Sequence, residues 1–415
     1  MMNKFFFILC LVICSASHRI DGAQNRLKEN LELEEQPKLI KKPPVKSIHV
    51  FHTLLFYYGM FPLVELSLIT WFNNFVCILF WFLQTKFGYI VDCIDITKQP
   101  SFGHPLLQKH KLQRKPSFET TSVKNSSARS ISGLEKYQCP IGTIPIRRTT
   151  KDDLIQAKSL LKYHPMMADV PGLHIAEVTL LPECGPYYDI DGTITVYNPT
   201  VENDQTSSAY IWVQTGENRI LAGWHVSPGV YGDNATHLFV AWTSDNFQET
   251  GCINLQCPGF IQTSKDAPLG LRLEPTSTPG HINEITVAIT KDSKANNWWF
   301  VLANMYIGYF PATLFSNLSS AKIGGWGGRT TTSKGTSSPP MGSGTFPDGI
   351  IYNACQFSSV SFQNSLRQNF GPKIPQTKTI VDRSNCYGAE NYGDQGGPQV
   401  RYFLQFGGPG GNCGD

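Results

Sequence analysis

The sequence predicts an all-β protein built around one large antiparallel sandwich, and three observations carry that prediction. Runs of β-branched and aromatic residues recur after about His174: "GTITVYNP", "SSAYIWVQTG", "RILAGWHVSP", "THLFVAWTSD", "EITVAITKD", "NWWFVLANMYIGYFP" and "VRYFLQFGGPGG" among them. Each has the length and composition of a strand. Gly, Pro, Asn and Asp fill almost every gap between these runs, as turns require. Aromatics reach 12%, with Gly 36 and Pro 27, which suits strands and turns better than helices. Residues 174–415 make one sandwich more economical than two small domains, and no fixed-period repeat suggests a propeller.

In chain order, "MMNKFFFILCLVICSAS" places a Lys before an apolar run and small residues. That is the pattern of a secretory signal peptide, residues 1–17. Cys10 and Cys14 leave with it, and nine cysteines remain, consistent with an oxidising compartment. Sequons at Asn125, Asn234 and Asn317 fit a secreted glycoprotein. The balance of 35 basic and 32 acidic residues, net +3, offers no charge excess for nucleic acid. A charged, Pro-containing stretch follows, reading as a short helix and linker up to residue 49.

Residues 50–84 break this character. Of these 35 residues 25 are apolar, seven of them Phe, and Glu65 is the sole Asp, Glu, Lys or Arg. About 20 apolar residues span a bilayer. A stop-transfer helix after a cleaved signal, however, would strand the cysteines and sequons in the cytosol. A buried core helix is a further alternative. The stretch begins with Val50, whose codons start GT, and ends with Gln84, one of whose codons is CAG; T-rich DNA encodes its Phe and Leu. It reads best as an unspliced in-frame intron, and a membrane anchor is expected only if it is retained.

Residues 85–150 contain a strand carrying Cys93, a Pro-broken basic segment, a Ser-rich linker over 119–137 and "YQCPIGTIPIRR" with Cys139. Residues 151–173 read as a helix of about three turns led by Thr149, and a linker.

Chemistry is sparse. There is no HExxH, no GxSxG and no His spacing that suggests a metal; no metal or cofactor is expected. "FGGPGG" lacks the Lys and helix of a phosphate loop. Trp224, Trp242, Trp298, Trp299 and Trp326 could stack on a sugar or proline ring or simply fill the core. In "ENRILAGWHVSP", a period of two puts Ile220, Ala222, Trp224 and Val226 on one face. Arg219, Gly223, His225 and Ser227 take the other, with Leu221 out of place among them.

"AGWHVSPGVYGDNATHLFVAWTSD", "TGCINLQCPGF", "GWGG", "MGSGTFPDG", "SNCY" and "FGGPGG" occur in that order. Together they resemble the plant neprosin family, and "VDCIDITKQPSFGHPLL" and "CPIGTIPIRR" resemble its activation peptide. The resemblance covers residues 85–415. It implies a secreted glutamic endopeptidase directed to proline, made as a zymogen, with two curved antiparallel sheets and a cleft across one face. Residues 18–49 and 85–150 become a small α+β activation region. In the family "KSIH" runs into "DCIDI" within a few residues, which marks 50–84 as intrusive.

Such an enzyme needs one ionised and one protonated carboxyl. The resemblance places family glutamates at Leu221 and Arg329, with a further one in many relatives at Gly325. None of these is a carboxylate here, and Glu217, Glu249 and Glu284 occupy no motif position. The expectation is a non-catalytic homologue, a monomer, binding a peptide or cell-wall polymer outside the cell, with Trp224, His225 and Trp326 in the cleft. The alternative is a peptidase with a displaced dyad. The resemblance also implies disulfides Cys252–Cys257 and Cys386–Cys413. Cys93 with Cys139 is a weaker expectation, and Cys184 and Cys355 are unassigned.

Overall fold

Two opposed antiparallel sheets form the body of the protein, in a computed structural model that describes residues 44, 46–50, 89–117, 139–149, 172–397 and 401–414. The expected signal peptide, the apolar segment beyond Val50, the Ser-rich linker with Asn125 and the helix after Thr149 lie outside the described residues.

The first sheet has seven strands. In spatial order these are β17 (Thr377–Val381), β4 (Leu173–Leu180), β14 (Ile323–Thr331), β6 (Thr206–Thr215), β7 (Asn218–Val226), β8 (Thr236–Thr243) and β9 (Cys252–Ile253). The second runs β10 (Ile261–Gln262), β13 (Met305–Phe310), β12 (Trp298–Leu302), β11 (Glu284–Lys291), β5 (Asp189–Thr195), β15 (Cys355–Gln363), β19 (Tyr402–Gly407) and β18 (Gly388–Asp394). A short β16 (Asn369–Phe370) pairs with β15.

Strand alternation builds the core. Ala209, Ile211 and Val213 of β6, Ile220, Ala222 and Trp224 of β7, and Leu238, Val240 and Trp242 of β8 point inward. They meet Ile190 and Ile194 of β5, Val287 and Ile289 of β11 and Phe357 of β15 in one cluster. Two indoles tie the layers together. Trp224 Nε1 donates to the Thr195 carbonyl at 3.0 Å and Trp326 Nε1 to the Asp191 carbonyl at 2.8 Å, both on the opposite sheet. Trp224 and Trp326 are fully buried between the sheets. This corrects their expected place in a cleft: they share the parity of the inward stripe and their N–H groups are engaged there.

A separate three-stranded antiparallel sheet, β1 (Lys46–Val50), β2 (Tyr89–Asp95) and β3 (Thr143–Arg147), precedes the sandwich. Its first pair runs in register from Lys46 opposite Cys93 to Val50 opposite Tyr89. Ile94, Ile96, Leu107, Ile144 and Ile146 join the sandwich core. Polar clasps reinforce this. Gln99 Nε2 donates to the Gln262 carbonyl at 3.1 Å while the Gln262 N–H donates to Gln99 Oε1 at 2.9 Å. Farther on, Ser117 N–H and Gln113 Nε2 both donate to Asp292, at 2.6 and 2.7 Å. The N-terminal segment therefore shares a core with the sandwich instead of hanging beside it.

Disulfides join Cys252 to Cys257, Cys386 to Cys413 and Cys93 to Cys139, while Cys184 and Cys355 are free thiols. Asn234 and Asn317 are exposed, as glycosylation needs. Among the described residues, no helix is long and apolar enough to cross a membrane, and no group of three or more His, Cys, Asp or Glu could hold a metal.

Candidate functional site: the outward face of the seven-stranded sheet

Residues of opposite parity to the core stripe make up the other face of the first sheet. Leu221 lies there, as its parity with Arg219 and His225 requires. It is not among polar groups. It is fully buried in an apolar layer with Tyr210, Trp212, Phe239, Ala241, Phe247 and Ile253. Leucine is out of place only against its own strand; against β6 and β8 it continues a hydrophobic patch.

Register decides which positions could form a dyad with residue 221. Trp212 of β6 pairs with Leu221 on one side and with Gly325 on the other. Two strand spacings separate those Cα atoms by about 10 Å. Arg329 pairs with Ser208, four residues farther along, which puts its Cα roughly 16 Å from that of Leu221. The sheet thus places Gly325, ahead of Arg329, opposite residue 221. A side chain at 325 meets its own obstacle: a Cβ there would lie 2.3 Å from the Val178 carbonyl oxygen of β4.

A carboxylate does lie on this face, at a position the motifs do not mark. Glu177 of β4 sits opposite Gly327, which pairs in turn with Tyr210. A Cβ on Gly327 would come 2.9 Å from Glu177 Cγ, so glycine leaves the Glu177 chain a path across β14. Glu177 Oε1 accepts from Tyr210 Oη at 2.6 Å and from Arg219 Nη2 at 3.1 Å. Arg219 also stacks over the Trp212 ring, 4.2 Å from its centroid, and Arg329 stands 5.9 Å from that of Tyr210. Glu177, Arg219 and Arg329 are each 2% exposed. Burial lowers the Arg219 pKa and Glu177 opposes that shift; burial, with Glu177, raises the Tyr210 phenol. Glu177 Oε1 is thus engaged by a phenol hydroxyl and a guanidinium, not by a second carboxyl. In sequence Glu177 is the lone charge within "LHIAEVTLL", the signal that could have singled it out.

His225 and His237 occupy the far end of this face. His225 Nε2 shares a 2.6 Å hydrogen bond with Tyr231 Oη and its ring stacks on Phe239 at 4.3 Å. Burial holds its pKa well below the ordinary value, with His237 adding to the effect. His237 engages the Gly270 carbonyl at 2.9 Å and Asp233 at 2.8 Å. Both rings are fixed by their partners, which leaves neither poised as a mobile base.

Among the described residues, two neighbouring carboxyls lie on the other sheet. Asp189 and Asp191 sit two apart on the outward side of β5, close enough for each to shift the other's pKa. Ser361 Oγ donates to Asp191 at 2.6 Å. Burial raises both carboxyls; Asp189 is raised further by the Asp191 charge, while Thr290 and Arg367 draw it back. A raised folded-state pKa stabilises the fold at acid pH and loses that contribution as pH climbs from about 4 through the folded value. Unfolding free energy should therefore decline with rising pH, and Asp189→Asn should flatten the decline. Denaturation midpoints between about pH 3 and 8 test this; equal slopes for wild type and variant would refute it.

An N-terminal three-stranded sheet packed on a two-sheet antiparallel sandwich defines a β-sandwich protein that carries a small docked sheet ahead of it. The chain belongs to the neprosin family: residues 203–409 match the Neprosin family and residues 82–175 the Neprosin activation peptide. Among solved structures, scytalido-glutamic peptidase with a peptide-based transition state analogue aligns at 9% identity and a TM-score of 0.29, covering 57% of this chain and 98% of that one. SCP-B, a member of the eqolisin family of peptidases, in complex with the tripeptide Ala-Ile-His, aligns at 8% identity and a TM-score of 0.28, with the same coverages.

Proposed function

We propose that this is a secreted, non-catalytic member of the neprosin family that binds a peptide or cell-wall polymer on the outward face of its seven-stranded sheet. One observation carries the reading. The row that could hold two facing carboxylates holds Leu221, Trp212 and Gly325. Leu221 is sealed in an apolar layer, and the nearby carboxylate Glu177 is neutralised by Arg219. Apolar and aromatic surface flanked by guanidinium groups is suited to binding, not to water activation. The face is out of solvent in the full-length chain, so a ligand would reach it only after that face is uncovered. Retention of Pro-containing peptides or wall glycans on immobilised, processed protein tests the reading. Leu221→Arg should abolish retention, and a processed protein that retains neither ligand would sink the proposal.

A second reading, an active peptidase with a displaced dyad, has one observation in its favour. Asp189 and Asp191 are two neighbouring buried carboxyls whose pKa values are both raised, and a carboxyl pair is the chemical requirement of such a site. Cleavage that vanishes in Asp191→Asn would establish it.

We also propose that residues 50–84 are absent from the functional protein. The β1–β2 register supports this. Joining His49 to Thr85 would put Thr85 opposite Tyr89 and leave Lys86, Phe87 and Gly88 between them. Three residues with Gly available for the left-handed position is a favoured hairpin loop. Full-length cDNA should lack these codons; their persistence in the dominant message would overturn the proposal.

A further inference from the structure

The N-terminal three-stranded sheet places one basic side chain in a pocket of the sandwich that nothing above requires. The Arg147 guanidinium, at the end of β3, lies 4.7 Å from the centroid of the Tyr231 ring and 5.2 Å from that of Tyr89. Its Nη2 donates to the Tyr231 carbonyl at 2.9 Å. The Tyr231 ring is backed by the His237 ring, stacked at 3.8 Å and 14°. Behind His237 stands the Asp233 carboxylate, which its hydrogen bonds hold at a pKa of about 2 despite burial. An aromatic face, a carbonyl acceptor and a carboxylate one ring away form a graded electronegative wall.

Two further features of the pocket bear on its fit for a guanidinium. Gly270, at φ +76°, lies against the arginine stem: a Cβ there would stand in ordinary contact with Arg147 Cδ, at 3.5 Å, and 3.3 Å from the Tyr231 ring. Gln256, 8% exposed, lines the same pocket with Asn254 and Leu269. Its Oε1 is buried without a hydrogen-bond partner among the described residues. Arg147 donates to the Tyr231 carbonyl and leaves this acceptor unmet, so an untethered guanidinium, with five N–H donors, has a further bond to make in the pocket.

We propose that the pocket of Tyr231, Asn254, Gln256 and Gly270 is a guanidinium-recognition site. Arg147 fills it in cis, and an arginine side chain of a peptide is the ligand class it takes when Arg147 is withdrawn. The proposal is independent of what the outward sheet face binds, and loss of retention there would leave it standing.

The test uses the full-length chain carrying Arg147→Ala, with N-acetylarginine amide as probe and its neutral isostere N-acetylcitrulline amide as control, followed by calorimetry. The expected result is saturable binding of the arginine probe to Arg147→Ala, at least tenfold tighter than the citrulline probe, and none to wild type. Adding Gln256→Leu should weaken that binding at least fivefold while leaving the thermal transition of the folded chain in place. Equal binding of both probes, equal binding by wild type, or no binding to a folded Arg147→Ala chain would each overturn the proposal. If Arg147→Ala does not fold, Arg147→Gln, which keeps most of the apolar stem, takes its place with the same outcomes.

Discussion

No turnover of Pro-containing peptides is the expected result when the processed protein is assayed between roughly pH 2 and 6, where two carboxyls could share one proton. Each positioned acid or base contributes about 10²–10⁴ in rate, and paired groups act as a unit. With Leu221 in one position, and Gly325 and Arg329 in the two candidates for the other, the whole contribution is absent. Register sharpens the rescue experiment. Leu221→Glu with Arg329→Glu should stay inactive, because those Cα atoms are roughly 16 Å apart, farther than two short side chains bridge through one water. Leu221→Glu with Gly325→Glu has the right spacing, across Trp212. It must also displace β4, since the Val178 carbonyl occupies the place of the new Cβ. Arg219, two residues from the carboxyl introduced by Leu221→Glu and on the same face, would moreover hold that carboxyl ionised. Peptide cleavage followed by mass spectrometry decides between these. Activity in the Leu221→Glu, Arg329→Glu protein would show that the working site has a different strand register.

Removing the Glu177 carboxylate should be the most destabilising single change on this face. In Glu177→Ala the Arg219 guanidinium keeps its burial and loses its counter-ion, and the Tyr210 hydroxyl loses its acceptor. Breaking one side of a buried pair costs about 3–5 kcal/mol. Glu177→Gln, which can still accept from Tyr210, should cost less. Replacing both partners, as in Glu177→Leu with Arg219→Met, should recover most of the loss, since apolar groups of similar volume substitute well for a buried pair. Urea denaturation of the four proteins provides the comparison. If Glu177→Ala unfolds at the wild-type midpoint, the pair is not the buried, mutually dependent unit the geometry describes.

What could be read from the sequence follows from how local each signal is. Alternation in "RILAGWHVSP" and "THLFVAWTSD" determined which residues of β7 and β8 meet the opposite sheet, because pleat parity is a property of the strand itself. Turn residues between the runs marked the all-β class, and the ordered motifs marked the neprosin resemblance. That Leu221 falls on the face opposite the core was equally legible. Only the tertiary structure decided what surrounds it there. Buried Tyr210 and Trp212 come from β6, Phe239 and Ala241 from β8, and no spacing within β7 specifies them. Register between β14 and β6 exchanged Arg329 for Gly325 as the residue facing 221, because hydrogen-bond pairing is settled between strands more than 100 positions apart. Glu177 and Arg219 are likewise an ion pair only because β14 carries Gly327 between them and leaves the carboxylate a way across. Composition fixed how many charges the chain has. The packing of strands remote in sequence determined which of them were buried and which partner each one found.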